Sequence, residues 1–166
     1  MLTLRARFDR LDLRLTSWMA RYSIPLLRIG LGVVFLWFGL LKFFPGLSPA
    51  QELATRTISV LTLGVVQPIV SLPLLAFWEC LIGLGLIAGR WTRATLLLLW
   101  AQMLGTITPL LLFPAEAFTW FPLAPTLEGQ YIIKNIVLVC AGLVIGATAR
   151  GGRLVADPAT ALNPSA

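Results

Sequence analysis

Three ionisable residues stand in, or at the end of, apolar stretches long enough to cross a lipid bilayer: Lys42, Glu79 and Lys134. A charged side chain in hydrocarbon costs roughly 2.5–3.5 kcal/mol even on lenient insertion scales. Three such residues in one chain are therefore expected to pair with one another or with a ligand. Ammonium and carboxylate groups held side by side could attract an anion, polarise a carbonyl group or carry a proton.

These residues lie towards the same end of their predicted helices. At 1.5 Å per residue, Lys42 and Lys134 fall about one turn from that end and Glu79 about two turns from it. The third apolar stretch adds polar side chains at a similar depth. We assign no catalytic residue, and the candidate ligand-binding residues are Arg28, Lys42, Glu79, Gln102, Thr106, Thr108 and Lys134.

Two interpretations of this cluster stay open. In the first, Glu79 and Lys42 form an internal salt bridge that pins the helices together, while Lys134 and Arg28 extend to the head groups. In the second, the cluster binds an anionic or quinone-like ligand, because two lysines beside one glutamate leave a net positive charge. Gly39 shares a helix face with Lys42 and permits close helix approach, which predicts that Lys42 faces the bundle.

The composition indicates a membrane protein. Of 166 residues, 58% are hydrophobic and 12% are charged, whereas soluble domains carry about 25% charged residues. The net charge of +6 does not predict nucleic-acid binding, because the arginines lie at the ends of apolar stretches. The chain has no histidine, so no metal site is predicted. Cys80 and Cys140 are far apart in sequence and are expected to be unpaired.

The predicted fold is all-α: a bundle of four transmembrane helices with an N-terminal amphipathic helix and an outer amphipathic helix. Residues 1–22 form the cytoplasmic amphipathic helix, expected on the membrane surface. Residues 23–150 form the four-span domain, and residues 48–64 within it form the outer helix. Residues 151–166 are a cytoplasmic tail. The predicted spans are about 24–44, 72–88, 93–113 and 131–148.

Arginine placement predicts the orientation. Five arginines precede the first span, Arg90 and Arg93 lie between the second and third, and Arg150 and Arg153 follow the fourth. The connections at the other end hold Arg56 as their clear basic residue. The positive-inside rule therefore places both termini in the cytoplasm, in a multi-pass protein of the inner (plasma) membrane.

Local signals refine the span boundaries. Pro25 is expected in the first turn of the first span, where proline is tolerated. Gly89 is expected to end the second span and Thr92 to cap the third. Pro109 is expected to kink the outer end of the third span.

Several runs resemble the DoxX-like membrane proteins, and most of all the branch associated with reactive-chlorine resistance. They are Leu27 to Ile29, Phe35 to Phe43, Glu79 with Gly83, Thr108 to Leu110, Pro114 to Glu116, and Lys134. The resemblance spans about residues 20–150. It implies a four-span inner-membrane protein whose relatives are linked to a thiosulfate:quinone oxidoreductase and to oxidant defence. It makes Arg28, Lys42, Glu79 and Lys134 the candidate site residues.

Three functions follow as expectations. The first is an accessory or quinone-interacting subunit in oxidative or thiol stress defence, with a quinone as the implied cofactor and an oxidoreductase subunit as partner. The second is a small homo-oligomeric transporter or exporter that couples through the intramembrane Glu79 and lysine site. The third, a stand-alone oxidoreductase, is disfavoured, because the sequence lacks histidine, a Gly-rich nucleotide loop and a C-x-x-C motif.

Overall fold

The computed structural model describes residues 2–44, 46–48 and 51–156, with side chains from residue 8 onward. Residues 49–50, at the predicted start of the outer helix, and residues 157–166 of the predicted tail lie outside the described part. In chain order the described elements are α1 (Leu2–Leu41), α2 (Gln51–Leu61), α3 (Pro68–Ala88), α4 (Thr92–Ile107), α5 (Pro109–Leu112), α6 (Pro114–Ala117), β1 (Phe118–Trp120), β2 (Ala124–Pro125) and α7 (Leu127–Ala147).

Helix α1 is 40 residues long and joins the predicted amphipathic segment to the predicted first span without a break. The sequence predicted Pro25 in the first turn of a helix. It lies instead in the interior of α1. A proline removes the backbone hydrogen bond of its own nitrogen, and the long helical runs on both sides outweigh that loss here. Along the N-terminal half of α1, the apolar side chains of Phe8, Leu11 and Leu15 are exposed.

In the described part of the chain, four helical segments are long and apolar enough to cross a membrane: Phe8–Leu41, Pro68–Ala88, Thr92–Leu112 and Leu127–Ala147. They correspond to the four predicted spans and differ from them mainly at their starts. Large apolar side chains are exposed on the outside of the bundle, among them Leu74, Leu97, Leu104 and Ile136. Such a surface suits contact with lipid. The predicted all-α bundle with four membrane-spanning helices is confirmed.

Helix α1 packs most extensively on α3, along a seam of glycines. A Cβ atom built on Gly83 would lie 2.6 Å from the backbone nitrogen of Leu36, and one on Gly32 would lie 2.9 Å from the carbonyl oxygen of Gly83. Helix α4 packs on α3 and on α7. The buried core comprises Leu31, Phe35, Ile82, Leu86, Leu96, Leu99, Met103, Ala141 and Ile145.

The connections between the spans are partly ordered. Helix α2 packs on α3 and α5, as expected for an outer helix. The segment after α5 contains α6 and a short antiparallel hairpin of β1 and β2. Gly89 ends α3 in a left-handed conformation, as predicted. Thr92 does not cap α4, because Trp91 is the N-cap residue. The third span is interrupted at Thr108, directly before Pro109.

Candidate functional site

The Glu79 carboxylate is buried in the bundle, and each of its oxygens accepts a hydrogen bond. Lys42 donates from Nζ to Oε2 at 2.6 Å, and Gln102 donates from Nε2 to Oε1 at 2.6 Å. Glu79 is only 8% exposed. The ion pair predicted between Lys42 and Glu79 is therefore present. We call Lys42, Glu79 and Gln102 the polar cluster.

Lys42 reaches Glu79 because α1 and α3 approach closely at Gly39. Helix α1 ends in a turn in which the backbone N–H of Lys42 donates to the Gly39 carbonyl at 3.1 Å. A Cβ atom on Gly39 would lie 2.9 Å from the backbone nitrogen of Cys80. A larger residue at this position would hold the helices apart. Gly39 thus sets the distance that the lysine side chain has to cover.

Gln102 connects α4 to the cluster and is 7% exposed. Its Oε1 atom is buried and has no hydrogen-bond partner among the residues that the structure describes. Buried polar atoms are nearly always paired, and an unpaired one costs on the order of 1–3 kcal/mol. The chain keeps this amide despite that cost, which is more typical of a site than of a core.

A cavity of about 440 Å³ adjoins the polar cluster. This volume lies within the range of roughly 300–1,000 Å³ that is typical of small-molecule sites. Besides the polar cluster, its wall includes Thr57 and Thr106, whose hydroxyl groups donate to the carbonyl groups of Leu53 and Met103. Most of the wall is apolar or aromatic and includes Phe35, Phe38, Trp78 and Leu138. The cavity is therefore lined mainly by apolar side chains, with the charged side chains of the polar cluster at one part of its wall.

Helix α2 closes one side of this cavity. It contributes Leu53, Ala54, Thr57, Ile58 and Leu61 to the wall, so its apolar face turns towards the bundle as predicted. On its other side, Arg56 forms an ion pair with Glu116. The Arg56 guanidinium also lies 3.9 Å from the centre of the Phe113 ring. These contacts attach α2 to the segment around α6.

Four of the seven predicted candidates, Lys42, Glu79, Gln102 and Thr106, line the cavity. The other three do not. Arg28 lies at the opposite end of the bundle and packs against Gly89. A Cβ atom built on Gly89 would stand 1.4 Å from Nη1 of Arg28. Lys134 is exposed, with its ammonium 5.8 Å from the centre of the Tyr131 ring. Thr108 donates to the Gly105 carbonyl at 2.7 Å.

The position of Lys134 changes the expected charge of the site. The sequence predicted two lysines beside one glutamate, but among the described residues only Lys42 forms an ion pair with Glu79. The cluster is therefore balanced in charge, which favours a neutral polar ligand over an anion. Sequence reasoning also missed Thr57, Tyr131 and Asn135, which line the cavity. Asn135 had a signal, because it is a polar residue inside an apolar span.

The described residues contain no group of three or more histidine, cysteine or acidic side chains that could hold a metal ion. Cys80 and Cys140 are both free thiols. The site can thus offer hydrogen bonds and a buried ion pair, and its own side chains include no redox-active pair among the described residues.

Comparison with known families agrees with this architecture. The DoxX family model matches residues 23–114, which is more than half of the chain. The matched region includes the polar cluster and Thr106 and ends before α7, so it does not include Lys134. No curated protein and no solved structure matches the chain. With its four apolar membrane-spanning helices, the chain is a multi-pass membrane protein that belongs to the DoxX family.

Proposed function

We propose that the protein binds a lipid-soluble ligand of the quinone class in the cavity beside the polar cluster. In this role it serves as an accessory subunit of a membrane oxidoreductase in oxidative or thiol stress defence. The observation that carries the proposal is the buried ion pair of Lys42 and Glu79 at the wall of an apolar cavity of about 440 Å³. A flat apolar ring with a polar edge matches that combination.

The residues present fit a quinone. Its carbonyl oxygens accept hydrogen bonds, and the Lys42 ammonium has three N–H groups. Two of these serve Glu79 at 2.6 Å and the Phe38 carbonyl at 3.4 Å, which leaves one for a ligand. Phe35 and Trp78 supply apolar surface for the ring. When bound, a quinone would supply two-electron, two-proton redox chemistry. Glu79, held by Lys42 and Gln102, would orient the ammonium and carry a proton at its carboxylate.

The composition of the sequence supports the accessory role. It has no histidine, no C-x-x-C motif and no Gly-rich nucleotide loop, which is consistent with a partner that delivers or removes electrons. The part played in oxidant defence is supported by the resemblance to the reactive-chlorine-resistance branch. With both termini in the cytoplasm of an inner-membrane protein, the cavity lies towards the outer leaflet. The arginine distribution supports this orientation.

The test is a binding measurement on the purified full chain in lipid nanodiscs. Isothermal titration with a short-chain alkyl benzoquinone should give saturable binding. Lys42→Met should weaken that binding by about tenfold, because one hydrogen bond to the ligand is lost. Lys134→Met is the matched control, since it removes the same charge from an exposed position outside the cavity. It should bind as the unsubstituted protein does.

Two results would contradict the proposal: absence of saturable binding, or equal weakening by Lys42→Met and Lys134→Met. Proton-coupled flux of a solute in liposomes that depends on Glu79, without quinone binding, would favour the transporter instead. Mass spectrometry of protein that co-purifies with the chain tests the accessory role separately, because an oxidoreductase subunit should be present.

A further inference from the structure

A second cavity lies at the opposite end of the bundle from the polar cluster. It has a volume of about 800 Å³ and separates α1 from the segment that follows α7. Arg21 of α1 and Arg153 of that segment both line it. Among the described residues, neither arginine forms an ion pair with a carboxylate. The Arg21 guanidinium also lies 5.7 Å from the centre of the Tyr22 ring. Two arginines that line one cavity, with no carboxylate among its described lining residues, indicate an anionic ligand.

The wall of this cavity, which we call the Arg21–Arg153 cleft, is also partly apolar. Ile24 and Pro25 line it on α1, and Leu154 and Val155 line it on the opposite side. A free inorganic anion gains nothing from such side chains. A ligand with a charged head and a hydrocarbon chain matches both kinds of surface.

The cleft lies beside the predicted start of the first span and the end of α7, where lipid head groups are expected. Arg21 directly precedes the most apolar part of α1, and Thr148, which also lines the cleft, directly follows the last residue of α7. The contact of Arg28 with Gly89 shows that the connection between α3 and α4, with Arg90 and Arg93, lies at this same end. This end of the bundle is therefore rich in arginine.

We propose that the Arg21–Arg153 cleft binds an anionic phospholipid, with its phosphate between the two guanidinium groups and the start of an acyl chain against Ile24 and Val155. Planar guanidinium groups bind phosphate oxygens in a fixed two-point geometry. The bound lipid bridges α1 and the segment after α7. The site is separate from the cavity beside the polar cluster and does not depend on the function proposed for it.

The test is lipid retention by the full chain in detergent, measured by native mass spectrometry during titration with phosphatidylglycerol or phosphatidylcholine. The unsubstituted protein should retain phosphatidylglycerol preferentially. The double variant Arg21→Gln/Arg153→Gln should lose that preference by about 25-fold, because each basic residue contributes roughly a factor of five. The variant Arg21→Lys/Arg153→Lys should recover part of it, because charge is restored without the guanidinium geometry.

The matched control is Arg90→Gln/Arg93→Gln, which removes the same charge from the same end of the bundle outside the cleft. It should retain phosphatidylglycerol as the unsubstituted protein does. Equal losses in the two double variants would overturn the proposal, because general surface attraction would explain them. Displacement of the lipid by millimolar inorganic phosphate would overturn it too, because a free anion would then suffice. Size-exclusion chromatography and circular dichroism confirm that each variant is folded.

Discussion

Gly39 and Glu79 lie in direct contact, since a Cβ atom built on Gly39 would stand 3.0 Å from the Cβ atom of Glu79. This contact places the end of α1 against the middle of α3. Lys42 follows within one turn and meets the carboxylate at 2.6 Å. The ion pair thus depends on glycine at position 39 as well as on Lys42 and Glu79, because a side chain at position 39 would separate the two helices.

Gly39→Ala should destabilise the protein by about 1–3 kcal/mol, because the added methyl group meets the backbone of α3 and pushes the two helices apart. Gly30→Ala is the matched control, since nothing lies within 4 Å of a Cβ atom there. It should be neutral or stabilising by up to about 1 kcal/mol, as alanine is the better helix former. Unfolding in mixed micelles with increasing sodium dodecyl sulfate, followed by circular dichroism, measures both. Equal stability of the two variants would contradict the close approach.

Lys42→Met and Glu79→Gln should each destabilise the protein strongly, on the order of 3–5 kcal/mol, because each leaves its partner buried and unpaired. The double variant should cost less than the sum of the two single changes. The same unfolding assay measures the free energy of unfolding of the unsubstituted protein, the two single variants and the double variant. If the double variant regains stability but still fails to bind the quinone probe, the pair belongs to the binding site as well as to the scaffold.

The exposed pair of Arg56 and Glu116 gives the contrast for that cycle. Its side chains are 50% and 43% exposed, whereas those of Lys42 and Glu79 are 12% and 10% exposed. Water screens exposed charges, so the coupling there should be below about 1 kcal/mol. A coupling as large as that of the buried pair would show that burial is not what makes the Lys42–Glu79 pair strong.

Cys80→Ala/Cys140→Ala should leave the protein folded and able to bind the quinone probe, because the structure has both thiols free. Cys140 is exposed, and its replacement should change stability by less than about 0.5 kcal/mol. Mass spectrometry after alkylation without reductant should find both thiols modified in the denatured unsubstituted protein. Recovery of a linked Cys80–Cys140 peptide would contradict this expectation.

Trp120→Cys, in that cysteine-free background, should react with a membrane-impermeant maleimide added to intact cells. Trp91→Cys should react only after the membrane is opened, because the arginine distribution predicts that the end of the bundle holding it faces the cytoplasm. Both positions are exposed, so accessibility to the reagent reports sidedness. The reverse labelling pattern would place the polar cluster towards the cytoplasmic leaflet.

Much of the fold was predictable because hydrophobic length and glycine spacing carry it. Four apolar stretches of sufficient length predicted four spans, and the shared face of Gly39 and Lys42 predicted the ion pair. The continuity of α1 was not predictable, because proline is tolerated in the first turn of a helix and disfavoured in its interior, so Pro25 indicated a helix start. Pro25 lies in the interior of α1 because the residues before it are also helical. Several of those residues, such as Phe8 and Leu11, are exposed and pack little against the bundle.

The candidate site was predicted in part, because depth along a helix can be counted but rotation about its axis cannot. Lys134 has the expected depth, yet the stripe that faces inward on α7 contains Tyr131, Asn135 and Leu138. This stripe has the spacing i, i+4, i+7 that marks one face of a helix. The contribution of α2 to the cavity was not predictable either, because it depends on how a surface helix docks.

The close contacts between helices divide the bundle into two pairs. Helices α1 and α3 touch backbone to backbone at Gly83 and Leu36, and α4 holds α7 where Gly142 packs near Trp100. The pairs meet tightly at the arginine-rich end, where a Cβ atom on Gly85 would lie 2.5 Å from Thr95 Oγ1. Towards the other end, the side chains of Glu79 and Gln102 join α3 to α4 beside the cavity of about 440 Å³. Any movement that separates the two pairs at this end must therefore break the hydrogen bond from Gln102 to Glu79.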